Sequence, residues 1–333
     1  MKNIFVIYAS FFLLSCTNTN HINRKIVFEE EKMLVAEQIR VNEIFSPDFV
    51  TKKENCFIIA SNRSDTMLYV YSLPSLTCWN RTGTKGQGPE EIQFFPMFCE
   101  SPGSKYLYVW GYTPLTIKKF KIGDKGKFVT VGEYQLSQYE AFNCMHVIDD
   151  SLFVYYLPDE LTVKKYNLKT DEYLDEIKWE KEDHAESYYY SNRGLIAVNK
   201  SNIVYSYIFK KQIDIYDLHT GQKKAVITDG KKYPKPNVGS RDNLTCYVNI
   251  YAGTDRFYAL SRKNGYDTSD NQDEYLLEVF DYDGNPIVRY TFDIAPFLFA
   301  IDEDNEQIYG YSSQFEDYLL RYKMSDNCVP VIK

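Results

Sequence analysis

The chain has 333 residues, of which 44% are hydrophobic and 16% aromatic, so it can bury a large core and is too apolar to be disordered. The formal net charge of −8 excludes a general binder of nucleic acid or of anionic membranes, because no basic excess offsets phosphate repulsion. Aromatic residues favour strands, so the 30 Tyr and 21 Phe residues predict a mostly β chain.

The first sixteen residues have the pattern of a bacterial secretion signal. Lys2 supplies a positive charge, and residues 4–14 form an apolar stretch too short to span a bilayer as a helix, which takes about 20 residues. The stretch ends in Leu-Leu-Ser-Cys, which resembles the lipobox of bacterial lipoproteins and implies acylation of Cys16. We expect a signal peptide at residues 1–15 and a tether at residues 16–31. An ordinary signal peptide with an incidental Cys is the alternative.

A pattern of an apolar strand, an aromatic residue, any residue, an apolar residue and a turn recurs six times along the chain. Its aromatic residues are Tyr71, Phe120, Tyr166, Tyr216, Phe280 and Tyr322, between 42 and 64 residues apart. The longest spacing contains a polar stretch, residues 262–273, which indicates a loop insertion. Units of about 45 residues with about four strands each are typical of β-propellers.

The last unit is one strand short, and residues 32–40 precede the first unit without a partner there. We therefore predict an all-β fold: a six-bladed β-propeller with four-stranded antiparallel blades, the last closed by an N-terminal strand. Such closure removes an exposed strand edge and makes residues 32–333 one domain.

The connection between the first two units carries a further signal. Residues 82–92, Thr-Gly-Thr-Lys-Gly-Gln-Gly-Pro-Glu-Glu-Ile, resemble the Gly-Lys-Gly-Pro stretch of the TolB-like or NHL-like six-bladed propeller lipoproteins of Bacteroidetes, with Gln87 and Ile92 as departures. The resemblance implies the fold and an envelope location, and it transfers no catalytic residue. Lys85, Gln87 and Glu90 are candidates for the mouth of a ligand pocket; a purely structural turn between blades is the alternative.

The predicted innermost strands carry polar residues that would converge on the axis: Glu100, His146, Asn192 and Asn249, with Asp48 as a further candidate. They predict a ligand-binding site, and a channel filled by water is the alternative. The set resembles, in residue type only, the axial residues of gluconolactonase-type lactonases. That resemblance leaves a divalent cation on the axis as an alternative.

Motifs of established chemistry are missing from the sequence. The four His residues share no metal-ligand spacing, and neither His-Glu-x-x-His nor Gly-x-Ser-x-Gly occurs, so we predict no catalytic residue, metal site or cofactor. Asp267, Ser269, Asn271 and Glu278 match a calcium loop, but Gln272 stands where Gly is required, so we expect a solvated loop. Cys99, Cys144 and Cys246 are expected to be buried thiols on innermost strands.

These observations predict a lipid-anchored protein of the cell envelope that binds a ligand or partner without catalysis. The partner would be a protein, peptide or glycan, the membrane would be contacted only through the lipid, and the protein would be monomeric. We expect an outer-membrane lipoprotein with the propeller in the periplasm rather than on the cell surface. A divalent-cation-dependent hydrolase or lactonase and a structural scaffold are the alternatives, because fold alone does not determine function.

Overall fold

The computed structural model describes residues 21–43, 46–62, 65–86, 88, 91–92, 95–112, 115–137, 140, 142–182, 186–240, 242–263, 275–315, 317–324 and 329–330. The predicted signal peptide, the lipidation candidate Cys16, the binding candidates Gln87 and Glu90, and the acidic stretch around Asp267 lie outside these residues. Within the described ranges the helical structure consists of two single-turn 3-10 helices, Asp124–Gly126 and Ser187–Tyr189. No helix in these ranges has the length and apolarity needed to cross a membrane.

Three strands precede the blades: β1 (Ile22–Lys25), β2 (Glu31–Leu34) and β3 (Glu37–Arg40). The next twelve strands form blades 1 to 3, each running antiparallel from the axis outward in chain order. Blade 1 contains β4 (Phe49–Lys53), β5 (Cys56–Ala60), β6 (Thr66–Ser72) and β7 (Thr77–Thr84). Blade 2 contains β8 (Met97–Cys99), β9 (Tyr106–Tyr112), β10 (Leu115–Ile122) and β11 (Phe128–Gln135). Blade 3 contains β12 (Asn143–Ile148), β13 (Leu152–Leu157), β14 (Thr162–Asn167) and β15 (Glu172–Lys178).

Blades 4 to 6 follow the same plan. Blade 4 contains β16 (Gly194–Val198), β17 (Asn202–Tyr207), β18 (Gln212–Asp217) and β19 (Lys223–Thr228). Blade 5 contains β20 (Tyr247–Ala252), β21 (Arg256–Arg262), β22 (Tyr275–Asp281) and β23 (Pro286–Phe292). Blade 6 contains β24 (Leu298–Asp302), β25 (Gln307–Tyr311) and β26 (Tyr318–Lys323). A short last strand, β27 (Val329–Pro330), pairs with β2. The predicted six-bladed all-β fold is confirmed.

The N-terminal strands run around the outside of the ring. β3 pairs antiparallel with β26 and completes blade 6, as expected for ring closure. β2 instead pairs parallel with β23 of blade 5, and β1 pairs parallel with β19 of blade 4. The stretch predicted as one closing strand is therefore two strands on two blades. The tether predicted for residues 16–31 contains β1, so part of it belongs to the ring, where it covers the outer edge of blade 4.

The repeat aromatics show why the blades pack as they do. In blades 1 to 5 the pairing of the third strand with the fourth shifts register at the aromatic residue, as in a β-bulge, which increases the local twist. Five of the six aromatics are buried in the clusters between neighbouring blades: Tyr71, Phe120, Tyr216, Phe280 and Tyr322. The sixth, Tyr166 of blade 3, is partly exposed.

The two faces of the ring differ in which strand ends they carry. We call the face at which the innermost strands β4, β8, β12, β16, β20 and β24 begin the entry face, and the face at which they end the exit face. Among the described cysteines, Cys56, Cys78, Cys99, Cys144 and Cys246 are free thiols. Cys99 and Cys246 are buried, as predicted, and Cys144 is partly buried.

Candidate functional site

The innermost strands enclose an axial channel that narrows part-way along its length. A cavity of about 320 Å³ opens on the entry face, and one of about 360 Å³ opens on the exit face. Both cavities are lined by Glu100, His146, Ile250 and Tyr251, which therefore form the waist of the channel. The waist joins blades 2 and 3 directly, since Glu100 N–H donates to the Met145 carbonyl at 2.8 Å.

The entry-face cavity, which we call the entry funnel, has apolar walls contributed by all six blades. These wall residues are Phe49, Met97, Met145, Leu195, Val248 and Leu298. Because the innermost strands run side by side, residues near the start of each strand form a ring around the opening. The volume lies at the lower end of the range of about 300–1,000 Å³ that is typical of small-ligand pockets. The funnel therefore favours burial of an apolar group.

Glu100 supplies a carboxyl group at the waist. Desolvation raises its pKa above the ordinary value, against the opposing influence of the Lys53 ammonium and of a hydrogen bond from Thr51. The Thr51 Oγ1 lies 3.5 Å from the Glu100 carboxylate. Burial thus favours the uncharged acid at this position, and an uncharged acid can donate a hydrogen bond as well as accept one.

His146 is buried beside Glu100, with 4% of its surface exposed. Burial lowers its pKa to about 4, so the imidazole is uncharged near neutral pH. Its Nδ1 lies 2.8 Å from the Cys144 carbonyl, so we assign the proton to Nδ1 and leave Nε2 as a hydrogen-bond acceptor. A register shift in β12 and a positive φ of 45° at Cys144 hold this segment in a bulge.

Two asparagines line the entry funnel above the waist, Asn143 in blade 3 and Asn249 in blade 5. Each uses its Oδ1 to accept the N–H of the next residue, Cys144 or Ile250, at 2.8 Å. Each can therefore offer its Nδ2 group, a donor, to a ligand. Both lie at register shifts of their strands, which is a common way to aim a side chain at a site.

The exit-face cavity differs from the funnel in charge. The buried Lys53 ammonium donates to the Ser101 carbonyl at 2.7 Å, and desolvation lowers its pKa to about 8. Lys52 pairs with the buried Asp302 at 3.0 Å. Lys105, Glu303 and Asp304 also line the opening. The lining of this cavity is charged, and several of its charged groups are bound to other groups of the protein. It therefore suits an apolar ligand less well than the funnel does.

A comparison with protein families identifies the family of the chain. A family described as TolB-like 6-blade propeller-like matches residues 26–304, which is most of the sequence. The chain belongs to the TolB-like six-bladed propeller family. This confirms the resemblance carried by the six-fold repeat and by the connection between the first two blades. A search of the curated proteins found no match.

Solved structures share the fold of this TolB-like propeller at low sequence identity. A Bacteroides fragilis protein provisionally named an exported protein has 14% identity and a TM-score of 0.56, with 90% of this chain and 98% of that chain covered. U3-55K has 8% identity and a TM-score of 0.50, with 86% and 98% covered. At these identities the likeness concerns the fold alone.

The predicted site residues separate into two groups in the TolB-like propeller. Glu100, His146 and Asn249 converge at the waist and funnel, and Asp48 lines the funnel while accepting hydrogen bonds from Asn62 at 2.9 Å. Asn192 does not lie on the axis. It precedes β16 by two residues, and its side chain is tied to the Glu180 carbonyl and to Lys210 at 3.0 and 2.9 Å.

Lys85 also lies away from the channel. It is exposed, and its backbone N–H donates to the Asp65 carbonyl at 3.1 Å where β7 leaves the outer part of blade 1. Among the residues that the structure describes, no group of three or more His, Cys, Asp or Glu side chains is placed to bind a metal ion. Glu100 and His146 lie together at the waist, where both line the two cavities of the channel.

Asn143 and Tyr251, which line the channel, and Thr51, which contacts Glu100, were not predicted from the sequence. The bulge at Cys144 adds a residue to β12, and this changes which side chains of the strand face the axis. Asn143 was detectable in principle, because it precedes His146 by three residues, within the strand already assigned to the axis. Tyr251 sits two residues after Asn249, on the same side of β20 by strand alternation.

The buried imidazole predicts an acid-sensitive stability. Above pH about 6.5, His146 is uncharged in the folded and unfolded states and has no effect on the pH dependence. Between pH 6.5 and 4 the unfolded chain binds a proton that the folded chain does not, so the free energy of unfolding falls by about 3 kcal/mol in total. Urea unfolding at intervals between pH 7 and 4 measures this loss.

The variant His146→Gln removes the titrating group. Over the same pH interval its free energy of unfolding should fall by about 3 kcal/mol less than that of the wild type. His219→Gln is the matched control, because His219 is exposed in a turn. If the free energy of unfolding depends on pH in the same way in His146→Gln and in the wild type, the conclusion that His146 is buried and uncharged is wrong.

Proposed function

We propose that this TolB-like propeller is a non-catalytic binding module of the cell envelope. It takes into the entry funnel an uncharged end of a small organic or peptide ligand, made of an aliphatic segment that carries an uncharged polar head. The observation that carries the proposal is the combination of apolar walls from six blades with a floor whose two ionisable groups, Glu100 and His146, are both pushed towards their uncharged forms.

The groups of the floor complement an uncharged polar head such as an amide. The Nε2 of His146 accepts a hydrogen bond from an amide N–H, and the Nδ2 groups of Asn143 and Asn249 donate to an amide carbonyl. A charged head would lose its hydration on entry without meeting an opposite charge at the floor, which costs free energy. The floor is therefore selective against ions, and the Asp48 carboxylate in the funnel wall already accepts two hydrogen bonds from Asn62.

The chemistry of the thiol beside the floor supports binding rather than catalysis. Cys144 lines the funnel, but burial raises the pKa of its thiol, so the reactive thiolate is disfavoured. Its Sγ lies 3.6 Å from the Asn143 Oδ1, and His146 Nδ1 is directed to the Cys144 carbonyl instead of to this sulfur. A nucleophilic Cys requires the opposite arrangement, a thiolate beside its base.

The envelope location in this proposal is supported by the N-terminus. Residues 13–16, Leu-Leu-Ser-Cys, end an apolar stretch of signal-peptide length, which favours acylation of Cys16. The similar Bacteroides fragilis structure is provisionally named an exported protein. We propose that the propeller is held in the periplasm by a lipid anchor in the outer membrane.

Three probes that share one tail test the funnel: hexanamide, hexanoate and hexylammonium. Burying the aliphatic tail contributes about 4 kcal/mol, which corresponds to a Kd of about 1 mM for hexanamide. We expect the two ions to bind at least about tenfold more weakly. Isothermal titration calorimetry with the purified full-length chain measures all three.

A blocked variant and its control locate the binding. Leu298 lines the funnel, so Leu298→Trp should fill it and abolish hexanamide binding. Leu174→Trp introduces the same side chain at a half-exposed position on the outer strand of blade 3, and it should leave the Kd unchanged. Equal affinity for the amide and the ions, or unchanged affinity in Leu298→Trp, contradicts the proposal.

A further inference from the structure

Another cavity lies away from the axis, between blades 2 and 3. Its volume is about 330 Å³. One wall is formed by the outer strands of blade 3, β14 and β15, and another by Leu136, Ser137, Glu140 and Phe142, which lie between β11 and β12. Tyr166, the one repeat aromatic that is not buried between blades, lines this cavity. Blade 3 therefore lacks the buried aromatic residue that the other five blades have at this position of the repeat.

Aromatic rings make up much of the lining. They belong to Phe142, Phe153, Tyr155, Tyr166 and Tyr173. Phe142 packs edge-on against Tyr155 with the ring centroids 4.7 Å apart, so the two rings stabilise each other in the inner part of the lining. Tyr173 is half-exposed at the opening. Such rings accommodate an aliphatic chain, and their faces attract a cation.

Each tyrosine of the lining hydrogen-bonds to a carboxylate. The pairs are Tyr155 with Glu140, Tyr166 with Asp171, and Tyr173 with Glu176. Burial, together with the bond to Glu176, raises the pKa of Tyr173 to about 12, so this phenol keeps its proton. Because each phenol proton is already donated to a carboxylate, these side chains present mainly acceptor oxygens to the cavity.

The carboxylates have acceptor capacity left over. An ionised carboxylate accepts up to about four hydrogen bonds. Within the described residues the side chain of Glu140 accepts from Tyr155 and Lys164, and that of Asp171 accepts from Tyr166. Lys178 pairs with Glu176 from the solvent side and is itself largely exposed. The lining contains three carboxylates and one cation, Lys164, so its formal charge is −2.

We propose that this cavity binds an organic cation, a primary ammonium or guanidinium group carried on an aliphatic stem. Such a head donates hydrogen bonds and accepts none, which matches a wall of acceptors. The negative lining attracts the head, and the rings contact both the stem and the charge. A sugar fits less well, because its hydroxyl groups need donors in the wall as well as acceptors. The source is either a free diamine or a Lys or Arg side chain of a peptide.

Four probes test this site by calorimetry on the purified full-length chain. They are 1,5-diaminopentane, N-acetyl-lysine methylamide, its neutral counterpart N-acetyl-norleucine methylamide, and maltose. We expect at least one of the two cations to bind saturably, with the neutral amide and the sugar at least about tenfold weaker. The tighter of the two cations distinguishes the free diamine from the peptide-borne source. Raising the salt from about 50 to 500 mM should weaken the binding.

Two variants and one control assign the binding to this cavity. Glu176→Gln removes a charge and Tyr173→Ala removes a ring, and each should weaken cation binding about three- to tenfold. Leu174→Ala is the control, because Leu174 is half-exposed on the same strand and does not line the cavity. The proposal is overturned if the neutral amide or maltose binds as tightly as the cations, if Glu176→Gln has no effect, or if neither cation binds below roughly 10 mM.

Discussion

Replacing Glu278 with Gln should lower the free energy of unfolding by about 3–5 kcal/mol, as expected when one partner of a buried ion pair is removed. Glu278 is fully buried on β22. Its carboxylate lies 3.0 Å from the Lys211 ammonium and 3.5 Å from the Arg289 guanidinium, and it accepts a hydrogen bond from Tyr247 at 3.2 Å. The Gln side chain keeps the shape but leaves the two cations without their shared counter-charge.

The ion pairs around Glu278 also hold the outer N-terminal strand β2. Arg289 also pairs with Glu31 of β2 at 3.2 Å, so a loss of Glu278 propagates to the strand that covers the edge of blade 5. Chemical denaturation of the purified chain measures the loss. Glu30→Gln is the control, because Glu30 is exposed and its ion pair with Lys32 is on the surface. The control should change stability by less than about 1 kcal/mol. An equal fall in the free energy of unfolding in Glu278→Gln and Glu30→Gln contradicts the stabilising role assigned to the buried ion pairs.

Replacing Leu34 with Ala should cost about 2–5 kcal/mol, because the substitution leaves a cavity in a packed core. Leu34 is fully buried at the end of β2, in the cluster that joins blades 5 and 6. β3 begins three residues later and completes blade 6. Leu34 therefore anchors the N-terminal segment at the point where it passes from one blade to the next.

The neighbouring residue is a matched control for this prediction. Val35 is 55% exposed, so Val35→Ala should change the free energy of unfolding by less than about 0.5 kcal/mol. Urea unfolding of both variants, compared with the wild type, checks the difference. Similar stabilities for Leu34→Ala and the wild type show that the N-terminal strands do not hold the ring closed.

The number and order of the blades were predictable from the sequence because the repeat aromatics have a structural task. Tyr71, Phe120 and Phe280 each mark a bulge and fill the space between two blades, so their spacing records the fold. No comparable sequence pattern marks β1. Its sequence, Ile-Asn-Arg-Lys, is polar and does not alternate, because an edge strand needs backbone pairing more than side-chain burial.

Part of the candidate site was predictable from the order of the strands. Glu100 and His146 lie on the axis as expected, because each lies on or next to the first strand of its blade, and that strand precedes the apolar second strand in the sequence. Asn192 was placed on the axis wrongly, because β16 begins only at Gly194. Which cavity carries charge and which is apolar could not be predicted, since it depends on six separate segments meeting in space.

We propose the entry funnel as the ligand site, and a crystal structure of the chain soaked with hexanamide is the sharpest test of this proposal. We expect the amide head within hydrogen-bond distance of His146 Nε2, with the tail among wall residues such as Leu195 and Leu298. Hexanamide bound elsewhere, or a funnel holding only water at a concentration that saturates binding in solution, contradicts it.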